Sequence, residues 1–160
     1  MRIIGIDPGT AITGYGVVES EGNRLRAVAY GVIRTRSDLP VAARLEKIHD
    51  GLKEVMSEHK PQAASIEKLF VSKNPAMALA VGQARGVSLL AAASMGLEIA
   101  EFSALEVKQA VVGYGKADKS QVQQMVKVLL GLQEVPRPDD AADALAVAIC
   151  RLHTSRIEED

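Results

Sequence analysis

Asp140 and Asp143 stand three residues apart at the start of a segment, Ala141 to Cys150, in which every other residue is apolar. A helix that is apolar on all sides is normally buried. An ionised carboxylate carried into such a place loses its hydration. No Lys or Arg stands between Pro138 and Cys150 to pair with it. The i, i+3 spacing puts both carboxylates on one helix face, and a bound metal ion is the obvious counter-charge. Acids in a first turn also complement the helix dipole. That accounts for Asp139 and Asp140, but not for Asp143, which lies one turn further in among apolar side chains.

Two further acids close apolar strands. Asp7 follows Ile3-Ile4-Gly5-Ile6 and precedes Pro8-Gly9. Alternation places Ile3, Gly5 and Asp7 on one face and Ile4 and Ile6 on the other. Functional residues favour the carboxyl ends of such strands, although an Asp before Pro-Gly also starts turns. Glu67 follows Ala63-Ala64-Ser65-Ile66, where Glu suits a buried strand poorly; the bland alternative is a strand-end Glu paired with Lys68. Four carboxylates meeting without cations repel, and some must take up protons. Hard divalent cations with oxygen ligands resolve this. His49 and His59 lie on a polar helix and His153 near the end of the chain, so no zinc set forms with these acids. All-oxygen ligation favours Mg²⁺ or Mn²⁺. Two such ions about 4 Å apart activate a water and stabilise the departing oxygen in phosphodiester cleavage.

These acids need elements to position them, and the chain reads as alternating β and α. Ile3 to Ile6, Thr13 to Val18 and Leu25 to Ile33 read as a meander of three antiparallel strands. Pro40 opens an amphipathic helix through Leu45, Ile48, Leu52, Val55 and Met56. Ala63 to Glu67 is a short buried strand. Asn74 to Met95 is a long small-residue helix, and Leu97 to Phe102 is a fifth strand. Ser103 with Glu106 forms a capping box. Gly113 to Lys116 is a loop, and Ser120 to Leu130 is a helix capped by Asp118 or Ser120. Asp139 caps the last helix. A five-stranded mixed sheet with helices on both faces follows. Residues 1–153 are expected to form one domain, and residues 154–160 a flexible tail.

The 160 residues are 48% hydrophobic but only 3% aromatic. A real core is therefore possible, built from Ala, Val, Leu and Ile. The single cysteine excludes an internal disulfide and suits a reducing compartment. The N-terminal segment meets Asp7 and Pro8 too early for a secretory signal, and no apolar run reads as long enough to span a bilayer. A cytoplasmic protein is expected. With 19 basic against 20 acidic residues, no global field attracts nucleic acid; such a partner would need local basic residues.

The blocks Ile4-Gly5-Ile6-Asp7-Pro8-Gly9, Thr13-Gly14-Tyr15-Gly16, Ile66-Glu67, Gly82-Gln83-Ala84-Arg85-Gly86 and Asp140-Ala141-Ala142-Asp143-Ala144-Leu145-Ala146 resemble the RuvC family, the Holliday-junction resolvases of bacteria. Val107-Lys108-Gln109 and Lys119-Ser120-Gln121-Val122 match as well, and the similarity runs in order from Met1 to about His153. The resemblance implies a ribonuclease-H-like fold. It also implies a homodimer that nicks opposed strands of a four-way DNA junction in recombination and repair, leaving 5′-phosphate and 3′-hydroxyl ends. The branch-migration proteins RuvA and RuvB are implied as partners. Asp7, Glu67, Asp140 and Asp143 carry over as a catalytic tetrad holding two Mg²⁺ per subunit, with Mn²⁺ as a substitute. Some relatives carry His at the position of Asp140.

The resemblance also implies that Phe70 stacks on an unpaired base, and such stacking is worth roughly 1–3 kcal/mol. Taken alone, a Phe beside Leu69 and Val71 reads as core. Lys73 flanks it. Lys108 and Lys119 match basic positions of the family. Lys116, in the glycine loop, reads as a further phosphate contact. Any one of these lysines is otherwise an ordinary solvated side chain. Arg85, on the small-residue helix, reads as a phosphate contact or as a bond within a dimer, with the structural role favoured. Two other functions compete. A nucleotide-binding actin-like fold shares the strand followed by Asp-x-Gly-Thr, but it needs two lobes and leaves Asp140 and Asp143 unexplained. A binding module with a dead site would have no use for four acids.

Overall fold

The structure, a computed structural model, describes residues 1–68 and 73–159. Its elements are β1 (Arg2–Asp7), β2 (Ile12–Glu21), β3 (Arg24–Arg34), α1 (Val41–His59), β4 (Ala63–Glu67), α2 (Pro75–Ser94), β5 (Glu98–Phe102), α3 (Ala104–Val112), α4 (Lys119–Leu129) and α5 (Asp139–Glu159). The strands lie in the order β3-β2-β1-β4-β5. The first three are antiparallel, while β4 runs parallel to β1 and β5 parallel to β4. This is the mixed sheet expected from the sequence.

The period-2 pattern of β1 and β4 divides the core into two layers. Ile4, Ile6, Ala64 and Ile66 point to one face and meet Ile48, Leu52 and Met56 of α1 with Ala84, Ala91 and Ala92 of α2. Ile3 and Ala63 point to the other and meet Leu145, Val147 and Ile149 of α5, with Val107, Val111, Val122 and Val126 of α3 and α4 behind them. Strands apolar on both faces belong between two helical layers.

Helix ends follow local chemistry. The Asn74 side chain accepts from the backbone N–H of Ala76 and Met77 at 3.1 and 3.3 Å, with Pro75 at the first helical position. The capping box of Ser103 and Glu106 is present. A second one joins Asp118 to Gln121, which settles the start of α4 on Asp118 rather than Ser120.

Two expectations are corrected. Residues 154–159 continue α5 rather than forming a loose tail. The hydroxyls of Thr154 and Ser155 donate to the carbonyls of Cys150 and Arg151, and Arg156 donates to the Gly22 carbonyl at 2.6 Å. The run Pro75–Ser94 is, contrary to expectation, long and apolar enough by length and composition to cross a membrane, with a mean hydropathy of 1.4. Its alanines, valines and leucines give it that apolar character, and one side of it is buried through Ala84, Ser88, Ala91 and Ala92.

Candidate functional site

The alternation that builds the core also sorts the acids. Asp7 shares the α5-facing side of β1 with Ile3 and Gly5, and Glu67 shares that side of β4 with Ala63 and Ser65. Ser65 ties the layers together, since its buried hydroxyl donates to the Val147 carbonyl of α5 at 2.9 Å. Ile6 pairs with Ile66 across the parallel β1–β4 ladder, so Asp7 and Glu67 end neighbouring strands at the same edge.

Glycines let α5 lie directly on the sheet. A Cβ on Gly5 would stand 2.0 Å from the Ala144 carbonyl oxygen, and one on Gly14 would stand 2.0 Å from that of Asp140. Only bare backbone permits such an approach. Gly14 pairs with Asp7 in the β1–β2 register. The first turn of α5 therefore sits over the backbone beside Asp7. One turn on, Asp143 lines a cavity of about 250 Å³ together with Glu67, Lys108 and Lys119. A neighbouring cavity of about 180 Å³ is lined by Asp7, Pro8, Glu67, Lys68 and Arg85, among others. Glu67 stands between the two.

The acids feel one another. The Asp7 carboxyl is pushed from 3.8 up to about 8, first by burial, then by the charges of Asp143, Asp140 and Glu67. Glu67 is raised by burial and by Asp143, with Lys108 opposing. Asp143 is raised by burial, which outweighs the opposing Lys119. Lys119 is raised in turn, chiefly by Asp143. Its ammonium lies 3.7 Å from Asp143 and 3.5 Å from Asp139. All-oxygen anionic donors fit a hard divalent cation. Among the described residues, however, no three His, Cys, Asp or Glu side chains are grouped closely enough to hold an ion as they stand. Lys119 neutralises part of the cluster.

Lys119 therefore competes with any metal for the same carboxylates. Replacing it by Gln is expected to tighten Mg²⁺ binding roughly fivefold. This follows from a contact worth about 1 kcal/mol at 4 Å in a water-like dielectric, fitting a lysine side chain that is 58% exposed. A thermal titration checks it: Mg²⁺ should raise the melting temperature of the variant at lower concentration than that of the parent. An unchanged titration midpoint would refute the competition.

The other anticipated residues divide. Lys108 lines the larger cavity with Lys119. Lys73 and Lys116 are exposed and line neither cavity. Phe70 lies outside the described residues. Arg85 pairs with Glu101 of β5 within the same chain. His153 is occupied by the Ala110 carbonyl at 2.8 Å. Sequence reasoning missed Ser65, although the alternation 63, 65, 67 places it on the α5 side. It also treated Lys68 only as a partner for Glu67; Lys68 instead lies 3.9 Å from Glu106 and lines the smaller cavity.

A family model described as crossover junction endodeoxyribonuclease RuvC matches residues 3–151. A protein of that name from Desulforamulus reducens is 55% identical over 155 residues, covering 97% of this chain and 95% of its own length. Another from Heliobacterium modesticaldum is 56% identical over 154 residues, covering 96% of this chain and 95% of its own. The solved structure of Thermus thermophilus RuvC in complex with a Holliday junction substrate superimposes with a TM-score of 0.94 at 36% identity, covering 99% of this chain and 96% of that one. The mixed sheet is thus the ribonuclease-H-like architecture that the motifs implied. With matches of this extent, and with the acids of those motifs at one sheet edge, the chain belongs to the RuvC family of crossover junction endodeoxyribonucleases.

Proposed function

We propose that this chain resolves four-way DNA junctions by hydrolysing one phosphodiester bond in each of two opposed strands. The observation that carries the reading is that Asp7, Glu67 and Asp143 line two adjoining cavities at one sheet edge, with Asp140 one turn before Asp143 and Lys108 and Lys119 beside them. Relatives covering nearly the whole chain bear the name of such an enzyme, and the Thermus relative was solved with a junction.

In this reading Asp7, Glu67, Asp140 and Asp143 would hold two Mg²⁺ per subunit, with Mn²⁺ as a substitute. Bound there, such ions would supply an activated water and stabilisation of the leaving oxygen. Asp7 and Glu67 hold their places from rigid strand ends, while Asp140 and Asp143 do so from the first turns of a buried helix. Lys108 and Lys119 neutralise the phosphate at the larger cavity, with the lysine charge moving from carboxylate to phosphate oxygen. Lys73 and Lys116 meet the backbone further out, and Phe70 stacks on an unpaired base. The products are 5′-phosphate and 3′-hydroxyl ends.

Symmetric nicking calls for a homodimer. The outer face of α2 suits a second copy: Leu79 and Leu90 are 65% and 60% exposed, and a Cβ on Gly86 between them would meet nothing within 4 Å. Such a face also explains the high hydropathy of α2 without a membrane. A resolvase acts where the chromosome is, in the cytoplasm, on junctions that RuvA and RuvB move.

A labelled synthetic four-way junction beside a linear duplex of the same sequence tests the reading. Paired nicks should appear in the junction only, and only with Mg²⁺. Equal cutting of the duplex, or cutting that survives chelation, would overturn it.

A further inference from the structure

The smaller cavity shares Glu67 and Ala104 with the larger one, but neither Lys108 nor Lys119 lines it. Its walls are Asp7, Pro8, Glu67, Lys68, Val81, Arg85 and Ala104. Val81 and Arg85 are one turn apart on α2 and present the same face. Arg85 is largely buried, with its side chain 19% exposed. It is held by Glu101, which stands on the α2 side of β5 opposite Ile66. That ion pair engages one terminal nitrogen, and the Nε–H of Arg85 has no acceptor. A guanidinium carries five donors and a permanent charge, so donors remain. The Lys68 side chain is 54% exposed, and its ammonium is only loosely paired to Glu106 at 3.9 Å. Two cations therefore sit at a concave site that also touches Asp7 and Glu67.

We infer that this cavity is a second phosphate seat, in which Arg85 and Lys68 bind the DNA phosphate next along the strand from the one being cut. The inference rests on the nuclease reading above and extends it to the smaller cavity. A strand crossing the sheet edge from the α5 face to the α2 face passes both cavities. With the scissile phosphate at Lys108 and Lys119, its neighbour arrives at Arg85. Fixing phosphates on both sides of the reacting bond sets its register over the carboxylates, which is what phosphate contacts do in DNA recognition.

The alternative for Arg85 is a strut between α2 and β5, and two variants separate the roles. Arg85→Met removes the cation and keeps the aliphatic bulk. Glu101→Gln removes the same ion pair and keeps the cation. Junction binding of both is measured in Ca²⁺ from about 50 to 200 mM salt, with melting temperatures and cleavage at subsaturating and saturating junction. For Arg85→Met we expect binding weaker by roughly tenfold, as for loss of a charged hydrogen bond. The slope of log K against log salt should be shallower by about one phosphate contact, and the cleavage loss should appear mainly as a higher KM. Glu101→Gln should keep the parental salt slope and KM. Equal losses in the two variants, following equal falls in melting temperature, would make Arg85 a strut and overturn the inference. A parental salt slope in Arg85→Met would overturn it too, while leaving the nuclease reading intact. A parent chain that neither binds nor cuts the junction would sink both.

Discussion

Asp7→Asn is expected to abolish junction cleavage while leaving junction binding close to parental. The loss should be at least on the order of 10²–10³-fold, the scale for removing one preorganised electrostatic contact to a transition state. Binding survives because a carboxylate does not attract DNA; removing its charge lessens repulsion of the phosphate. The same variant has a second signature, in stability without metal. The Asp7 carboxyl keeps its proton up to about pH 8 in the folded chain, whereas the unfolded chain releases it near pH 4. The folded state thus binds more protons across that window. The contribution of the neutral carboxyl is complete below pH 4 and is lost as the pH rises through 8. Asn does not titrate. In chelator, the variant should therefore melt close to the parent at pH 4 and several degrees above it at pH 8 to 9. Glu67 and Asp143 are raised in the same direction, so a reduced slope remains. Millimolar Mg²⁺ should reverse the order at pH 8 by stabilising the parent more than the variant. Parallel melting curves across this range would show that Asp7 is not buried among charges of its own sign.

Gly14→Ala is expected to disable the site without touching an acid. Its Cβ would lie 2.0 Å from the carbonyl oxygen and 2.5 Å from the carbonyl carbon of Asp140. Both are backbone atoms of a helix anchored by Ala141, Ala144, Leu145 and Ile149, all buried, so no side-chain rotation relieves the contact. The first turn of α5 must lift from β2. Overpacking of this kind costs about 3 kcal/mol or more, equivalent to a fall of roughly 6–12 °C in melting temperature for a chain of this size. A displacement of about 1 Å at the reacting groups costs roughly a hundredfold in rate. Cleavage should therefore fall further than stability alone explains, and Mg²⁺ should stabilise the variant less than the parent. A variant that melts and cuts like the parent would show that α5 does not rest on the β2 backbone.

Legibility of this protein from its sequence follows the range of the forces involved. Alternation in Ile3 to Asp7 and in Ala63 to Glu67 is a local property of strands, and it assigned each acid to a strand end and a face. The capping box at Ser103 and Glu106 and the proline-asparagine start of α2 were equally local. Asp143 was legible because a charge in an apolar helix contradicts its surroundings, and such a contradiction points to function.

Other features depended on which elements meet. A bilayer-length apolar α2 follows from its residues; that one side of it is covered by α1 and the sheet does not. Lys119 is 24 positions from Asp143 in sequence, and only the docking of α4 against α5 brings them together. Ser65 gains a role from the Val147 carbonyl above it, and Arg85 gains one from sharing a cavity with Asp7 and Glu67. The sequence alone determined where most strands and helices form and which acids stand at their ends, because each rests on short-range pattern and composition. The tertiary structure alone decided how those acids share charge, which cations face them and how closely α5 approaches the sheet. Such contacts join residues distant along the chain, and no local pattern encodes them.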